Sequence, residues 1–397
     1  MQTVRQAFTI LKQNPLLSTI SILGTAFAIT MIMAIVITWQ TKYADLEPEV
    51  NRSRCLYFSA MHVYDKEKDG NNNWSNPSAA FMKECVQPVP EVEYCTAFSP
   101  AGLSLASLTD GNNRVKVDAM RTDPDFWKVF SMQFLAGRGF SEADRAGESK
   151  AVVVCASVAR KLYGSTDVVG QEFLLNRELA RIVGVVKDVS ALADAAYAQV
   201  WIPYTSTDLA QDTWSDNHMG MMSATILARD RDDFDAIREE CEKVRLQYNN
   251  LLAENGYELI YRNRPYDQEK QAIAYAANWE PDLSAARRQR VIIFIILLLV
   301  PAINLSSMTQ SRLRQRVSEI GVRRAFGSTR TEMIGQIVME NLVVTLLAGA
   351  VGLLFSILFA YLGNGLLFAQ AYSITLNPPE VNASILLQPS TFMYALL

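Results

Sequence analysis

Histidine is scarce in this 397-residue chain: there are two, His62 and His218, and neither has a second ligand at metal spacing. A zinc centre draws on histidine or cysteine pairs a few positions apart, so no metal site is expected. No G-x-x-x-x-G-K-[ST] phosphate loop occurs in the sequence, which excludes P-loop ATP hydrolysis by these residues. The carboxylate pairs Asp232-Asp233 and Glu239-Glu240 are sequence neighbours on expected helix surface. Adjacent helical positions point apart, so these pairs read as a solvated face rather than an acid–base centre. No catalytic group, cofactor or nucleic-acid partner is expected.

Cysteine is also sparse, with five residues lying between Cys55 and Cys241. An odd number leaves at least one thiol unpaired within the chain. Cys85 and Cys95 flank a short stretch with two prolines, and an oxidising compartment can close that loop for a gain of about 2–3 kcal/mol. Two free thiols are the alternative. Cys155 carries no pairing signal, and Cys241 reads as core, because Phe234, Ile237, Cys241, Val244, Tyr248 and Leu251 recur every three or four residues.

Charge is missing from three long stretches. Leu16 to Trp39 has no charged residue over 24 positions, Val291 to Met308 none over 18, and Asn341 to Gln370 none over 30. A helix of this length crosses a hydrocarbon core of roughly 30 Å. All three therefore read as transmembrane helices, and no acid or base sits at mid-depth where an ion-coupled transporter would place one. A cleaved signal peptide is the other reading of the first run. Its apolar length and the lack of a small-x-small cleavage site before Thr41 favour a retained anchor. Before it, Val4, Ala7, Phe8 and Leu11 share one helical face, as in a short interfacial helix ended by Pro15.

Thr309 to Met333 holds six arginines against two glutamates, and the N-terminal flank holds Arg5 and Lys12 without an acid. Both are expected on the cytoplasmic side. The roughly 250-residue region between the first two spans carries 29 basic and 37 acidic side chains, a net charge of −8, and is expected outside. Arg287, Arg288 and Arg290 cut against this on the outer flank of the second span, but long translocated domains are largely exempt from the charge rule.

The expected organisation is residues 1–42 as interfacial helix and first span, 43–286 as an outer domain, and 287–397 as a membrane domain. In the last, spans at about 291–308 and 338–368 enclose a loop at 309–335. The outer domain reads as α/β. It has strands at Ala151–Cys155, Ile182–Val186, Val200–Tyr204 and Met221–Ala228, and a helix at Ser157–Tyr163. A long helix from about Asp232 to Ala253, stopped by Glu254-Asn-Gly256, and a strand at Tyr257–Arg262 complete a β-α-β unit. Two subdomains are expected, one inserted near 119–206 and one built from the flanks. Asp69 to Trp74 reads as a polar turn.

Two stretches look made for contact. Ala348, Gly352, Ser356, Ala360 and Asn364 form a small-residue stripe at four-residue spacing along the third span, which permits close helix approach in a bundle or dimer. Chance in a Gly- and Ala-rich span is the alternative. Ser318 to Gly327, between two apolar runs, is basic and has no room for a core of its own.

The run Arg121-Thr-Asp-Pro-Asp-Phe-Trp through Leu-Ala-Gly-Arg-Gly-Phe-Ser-Glu142, with Ile182-Val-Gly-Val-Val-Lys-Asp188, resembles the outer-domain signature of the MacB/FtsX-like ABC-transporter permeases. Ser318-Glu-Ile-Gly-Val-Arg-Arg-Ala-Phe-Gly-Ser-Thr-Arg330, followed by Met339-Glu-Asn341, resembles that family's membrane-domain motif. The resemblance runs in order along nearly the whole chain. It implies an inner-membrane protein with a cytoplasmic N-terminus, a large periplasmic domain and four spans. Three spans are complete here, and Ser390 to Leu397 reads as the start of a truncated fourth. It also implies a non-catalytic permease working with a separate ABC ATPase subunit, a second permease copy or paralogue, membrane lipid and a periplasmic membrane-fusion protein. Glu319, Ile320, Gly321, Val322, Arg323, Arg324, Ala325 and Gly327 would then dock the ATPase: the arginines pair with its acids, Ile320 and Val322 insert, and the glycines permit close approach. Binding of these arginines to lipid phosphates is the other reading. The implied activity is force transmission for export or extraction of a peptide, drug or lipoprotein. Relay to a periplasmic cell-wall hydrolase, or membrane-anchored binding without an ATPase, are the competing functions.

Overall fold

The computed structural model describes residues 15–67, 73–145, 150–204, 213–214, 218–315, 317–362 and 376. The expected interfacial helix at Val4–Leu11, most of the Asp69–Trp74 turn, Asn364 and the start of a fourth span lie outside these residues. The chain divides into two units, one holding the long apolar helices and the other spanning Lys42–Leu283.

In the helical unit, α1 (Pro15–Tyr43) is one unbroken helix. Two other long helices belong here, which we number with those of the outer unit: α2 (Ala156–Tyr163), α3 (Phe234–Leu252), α4 (Leu283–Gln315), α5 (Val317–Ala325) and α6 (Arg330–Leu362). Ile22–Tyr43 and Arg330–Phe359 are long and apolar enough to cross a membrane. The uncharged run Val291–Met308 lies wholly within α4. The small-residue stripe is spent inside the chain. Ala348 and Ser356 are fully buried, and a Cβ on Gly352 would come within 2.9 Å of both the Ala26 carbonyl oxygen and Ile29 Cβ. Thr30 Oγ1 lies 3.1 Å from the Gly352 carbonyl oxygen, so α1 and α6 meet backbone to backbone. The side chain of Ala360 lies outside the described set. Trp39 of α1 packs on Phe294 of α4, with ring centroids 4.9 Å apart.

The outer unit is built on sixteen described strands: β1 (Cys55–Phe58), β2 (Met61–Asp65), β3 (Asn73–Pro77), β4 (Val92–Phe98), β5 (Gly102–Leu108), β6 (Val115–Thr122), β7 (Phe134–Gly137) and β8 (Lys150–Cys155) lead. Then come β9 (Glu172–Leu175), β10 (Glu178–Val186), β11 (Val200–Pro203), β12 (Thr213–Trp214), β13 (Met219–Gly220), β14 (Ser223–Ala228), β15 (Tyr257–Ile260) and β16 (Tyr266–Asp267).

Strand pairing divides the outer unit into two lobes. In the first, the path β6-β11-β8-β10-β9-β5 returns to β6 and closes into a six-stranded barrel, with β7 added on β10. Only β8–β10 and β6–β11 run parallel. Helix α2 packs on β5, β6, β8 and β10 and buries Val158, Ala159 and Leu162. In the second, β4-β14-β1-β16 continue the sheet from β6, while β12-β13-β3-β2-β15 form a separate five-stranded sheet. The face of α3 that closes this lobe carries Phe234, Ile237, Cys241, Tyr248 and Leu252 into a core with Leu56, Phe58, Phe81 and Ile226.

Several expectations change here. Strand pairing starts the barrel lobe at β5, so a boundary at 119 would cut through β6. The sheets are largely antiparallel, and β14 and β15, on either side of α3, belong to different sheets, so they do not form the expected β-α-β unit. Leu252 rather than Leu251 completes the buried face of α3, Leu251 being 58% exposed. Asn73 and Trp74 open β3 instead of ending a turn. Cys85 and Cys95 are free thiols, as are the other three cysteines. A hydrogen bond from the Cys95 amide to Gln87 Oε1, 2.7 Å, bridges this stretch instead of a disulfide.

Candidate coupling helix

The basic stretch expected as a loop is mostly helix. Past the apolar run, α4 continues through Thr309–Gln315, a polar sequence rich in residues that accept helical geometry at little cost. Helix α5 then covers Val317–Ala325 and ends at Phe326-Gly327. The Phe326 amide donates to the Val322 carbonyl and the Gly327 amide to that of Arg324, at 3.1 Å each. Gly327 has φ +95°, the left-handed conformation that terminates helices. Helix α6 opens on a reciprocal cap: the Glu332 amide donates to Thr329 Oγ1 at 3.3 Å, and the Thr329 amide to Glu332 Oε2 at 2.9 Å. This is a capping box, the Ser/Thr-x-x-Glu pattern readable at Thr329-Arg-Thr-Glu332. The two stems of the α5 hairpin are also tied, Thr309 Oγ1 donating to Asn341 Oδ1 at 3.1 Å.

Of the expected docking residues, Gly321, Val322, Arg324, Ala325 and Gly327 are exposed and Ile320 is half-buried. A Cβ on Gly321 would meet nothing within 4 Å, so nothing described in this chain occupies that face. The side chains of Glu319 and Arg323 lie outside the described set. One residue was missed. Phe326 is 88% exposed, more than any other large apolar side chain described. Its signal was in the sequence, an aromatic residue between a basic helix and a glycine stop, and anchors of this kind dominate interfaces.

Elsewhere the ionisable groups are structural. Asp123 is buried and accepts from Thr96 Oγ1 (2.8 Å), the Ala97 amide (2.9 Å), the Phe126 amide and Tyr204 Oη (both 3.1 Å). Burial pushes its carboxyl up to about 6, against hydrogen bonds that favour the charged form. His218 stacks on Tyr248 with centroids 4.1 Å apart and shares a 2.6 Å hydrogen bond with Tyr261 Oη. Burial lowers its imidazole to about 4. His62 is also buried, and desolvation, with the guanidinium of Arg262 beside it, holds its pKa down. Among the described residues no group of three His, Cys, Asp or Glu could hold a metal.

The motif residues of the barrel lobe converge. Gly184 stands opposite Gly137 across β10 and β7, and a Cβ on either would strike the facing backbone. Trp127 packs among Phe134, Phe140 and Trp201, with Gly139 beneath its ring. The sequence model of the MacB-like periplasmic core domain matches residues 18–244, and that of the FtsX-like permease C-terminal region matches 291–397.

The chain belongs to the MacB-like family of ABC-transporter permeases. A relative in Shigella flexneri, the macrolide export ATP-binding/permease protein MacB, is 22% identical over 393 residues, covering 98% of this chain and 57% of its own length. The chain thus spans about half the length of the curated relatives it matches. Among solved structures, the periplasmic region of MacB from Actinobacillus actinomycetemcomitans overlaps 51% of this chain and 88% of its own, at 13% identity and a TM-score of 0.35. The extracellular domain of the transporter YknZ from Gram-positive bacteria overlaps 51% and 99%, at 15% identity and a TM-score of 0.34.

Proposed function

We infer that this MacB-like chain transmits force across the bacterial inner membrane rather than conducting a substrate through it. ATP-driven closure of a nucleotide-hydrolysing partner pushes α5, tilts α4, and moves the outer domain of one permease copy against that of a second. The chain itself is non-catalytic, with α5 and the N-terminus cytoplasmic and the outer unit periplasmic. The work is export or extraction of a peptide, drug or lipoprotein at the outer side, macrolide export being the activity that the relatives' name gives.

One observation carries this reading. Helix α5 and the turn that follows it present Val322, Arg324 and Phe326 to solvent between two apolar helices whose stems are fastened by Thr309 and Asn341. An apolar anchor flanked by guanidinium groups suits a groove with acidic rims on a partner protein. The test is co-purification of the full chain with its ATPase subunit. Replacing Arg323 and Arg324 with glutamate is expected to abolish capture, and Phe326→Ala to weaken it by about 10-fold or more, the scale of an interfacial anchor. Unchanged capture, or capture lost only when anionic lipid is removed, overturns the docking role.

A further inference from the structure

The chain leaving α1 does not run directly into β1. Residues 44–54 form a strap whose two central charges are buried. The Arg52 and Glu49 side chains are 2% and 3% exposed and pair at 2.6 Å. Burying two charges costs several kcal/mol each unless every remaining donor and acceptor is matched, and here three of the four matches come from far away in sequence. Glu49 Oε1 accepts from the amides of Ala195 and Ala196 at 2.9 and 3.0 Å. Arg52 donates through Nη2 to the Leu192 carbonyl at 2.7 Å and through Nη1 to the Ala44 carbonyl at 3.2 Å. Two further bonds hold the same strap: the Ser131 amide donates to the Pro48 carbonyl at 2.9 Å, and Gln133 Nε2 to Glu47 Oε2 at 2.6 Å.

Apart from Ala44, which lies in the strap itself, these partners all belong to the barrel lobe. Ser131 and Gln133 precede β7, and Leu192, Ala195 and Ala196 lie on the connection from β10 to β11. The strap then continues into β1, which is paired with β14 and β16 in the other lobe. Its fastening to the barrel is therefore independent of its continuation into the sheet. A flexible tether would need neither the buried pair nor its backbone partners, and it would pass a pull entering at Ala44 to β1 alone.

The geometry points to Glu49 and Arg52 as positioning residues of a clamp within the outer unit, through which a displacement of the chain entering at Ala44 reaches the barrel lobe directly as well as the lobe that begins at β1. The inference rests on the force-transmission reading above. It assigns the place where that force enters the outer domain and the lobe that receives it.

Hydrogen exchange on the full chain in nanodiscs, with and without its ATPase partner, tests the clamp. In Glu49→Ala the Ala195 amide loses its acceptor, while the Ala196 amide keeps the Ala193 carbonyl at 3.1 Å; exchange at Ala195 is expected to rise by about 10-fold or more while Ala196, β1 and β14 stay protected. Wild-type protection in this variant overturns the clamp. Glu49→Gln keeps an acceptor oxygen but not the charge, so it should fold and give an intermediate rise. With the partner bound, the nucleotide-dependent exchange change over β8 and β10 is expected in the wild type. It should vanish in Glu49→Ala and shrink in Glu49→Gln while ATP hydrolysis continues; a full change in both variants overturns the proposal. A wild-type chain whose outer domain never responds to nucleotide overturns force transmission and the inference with it. That outcome is distinguishable, because the partner-free exchange at Ala195 does not depend on it.

Discussion

Two charged stretches of this chain, each next to a long apolar helix, are built in opposite ways. Ser318–Gly327 shows Val322, Arg324 and Phe326 to solvent. Glu49–Arg52 hides its charges and satisfies them with backbone groups some 140 residues away. In the first, nothing described in the chain covers these side chains, as the proposed docking requires. The second excludes a partner, since any approaching group would have to displace bonds already made. The contrast teaches that charge beside a membrane helix does not by itself mark a docking surface; what decides is whether the chain has already supplied the counterpart.

The largest expected effect falls on the buried stretch. Removing one partner of a buried ion pair strands the other, so Arg52→Met is expected to lower unfolding free energy by about 3–5 kcal/mol. Phe326→Ala should leave the melting temperature unchanged. Thermal unfolding of the full chain in detergent checks both, and similar shifts would break the contrast. A second experiment asks whether acid attacks the buried interior or the exposed helix. His218 is held near 4 in the fold against an ordinary value of 6.5. The unfolded chain therefore takes up this proton first, and the His218 contribution to stability, about 3 kcal/mol, is lost as pH falls from about 6.5 toward 4, opposed by Asp123, which takes up its proton first in the fold. The neighbours that face the ring are Phe81, Tyr248 and Tyr261, none of them an acid that would hold the proton. His218→Gln should flatten this limb of a stability–pH curve, and an unchanged slope would place the acid lability elsewhere. The smallest effect belongs to the hairpin stems. Thr309→Val removes the bond to Asn341 and should cost about 0.6 kcal/mol, the average for such bonds between membrane helices. Partner-stimulated ATP hydrolysis should respond more than the melting temperature does, because the bond aligns α5 rather than holding the unit together.

The long helices were legible because a membrane span needs an unbroken charge-free run, a local property that one window reveals. Strand β8 and helix α2 were legible for a similar reason, their patterns being short and bounded. The helical state of Thr309–Gln315 and Val317–Ala325 was missed by giving charge more weight than propensity. Leu252 replaced Leu251 because a one-residue drift over 19 helical positions is within the error of a spacing argument. Barrel closure and the Glu49–Arg52 clamp were not legible at all. The pairing of Ala119 with Val200, and of Glu49 with the Ala195 amide, depends on which distant segments meet, and neither member of these pairs carries a local pattern. Phe326 lay between, visible in the sequence but passed over in favour of the arginines.

Closure of the barrel has one more consequence. The barrel strands are paired on both sides over part of their length, so among the described strands of this lobe a peptide or second copy joining by strand addition would find a full free edge only on β7. The other lobe ends in β16 on one sheet and in β12 and β15 on the other. Recruitment through backbone hydrogen bonds is thereby steered toward the lobe fed by β1, while the barrel meets its surroundings mainly through side chains.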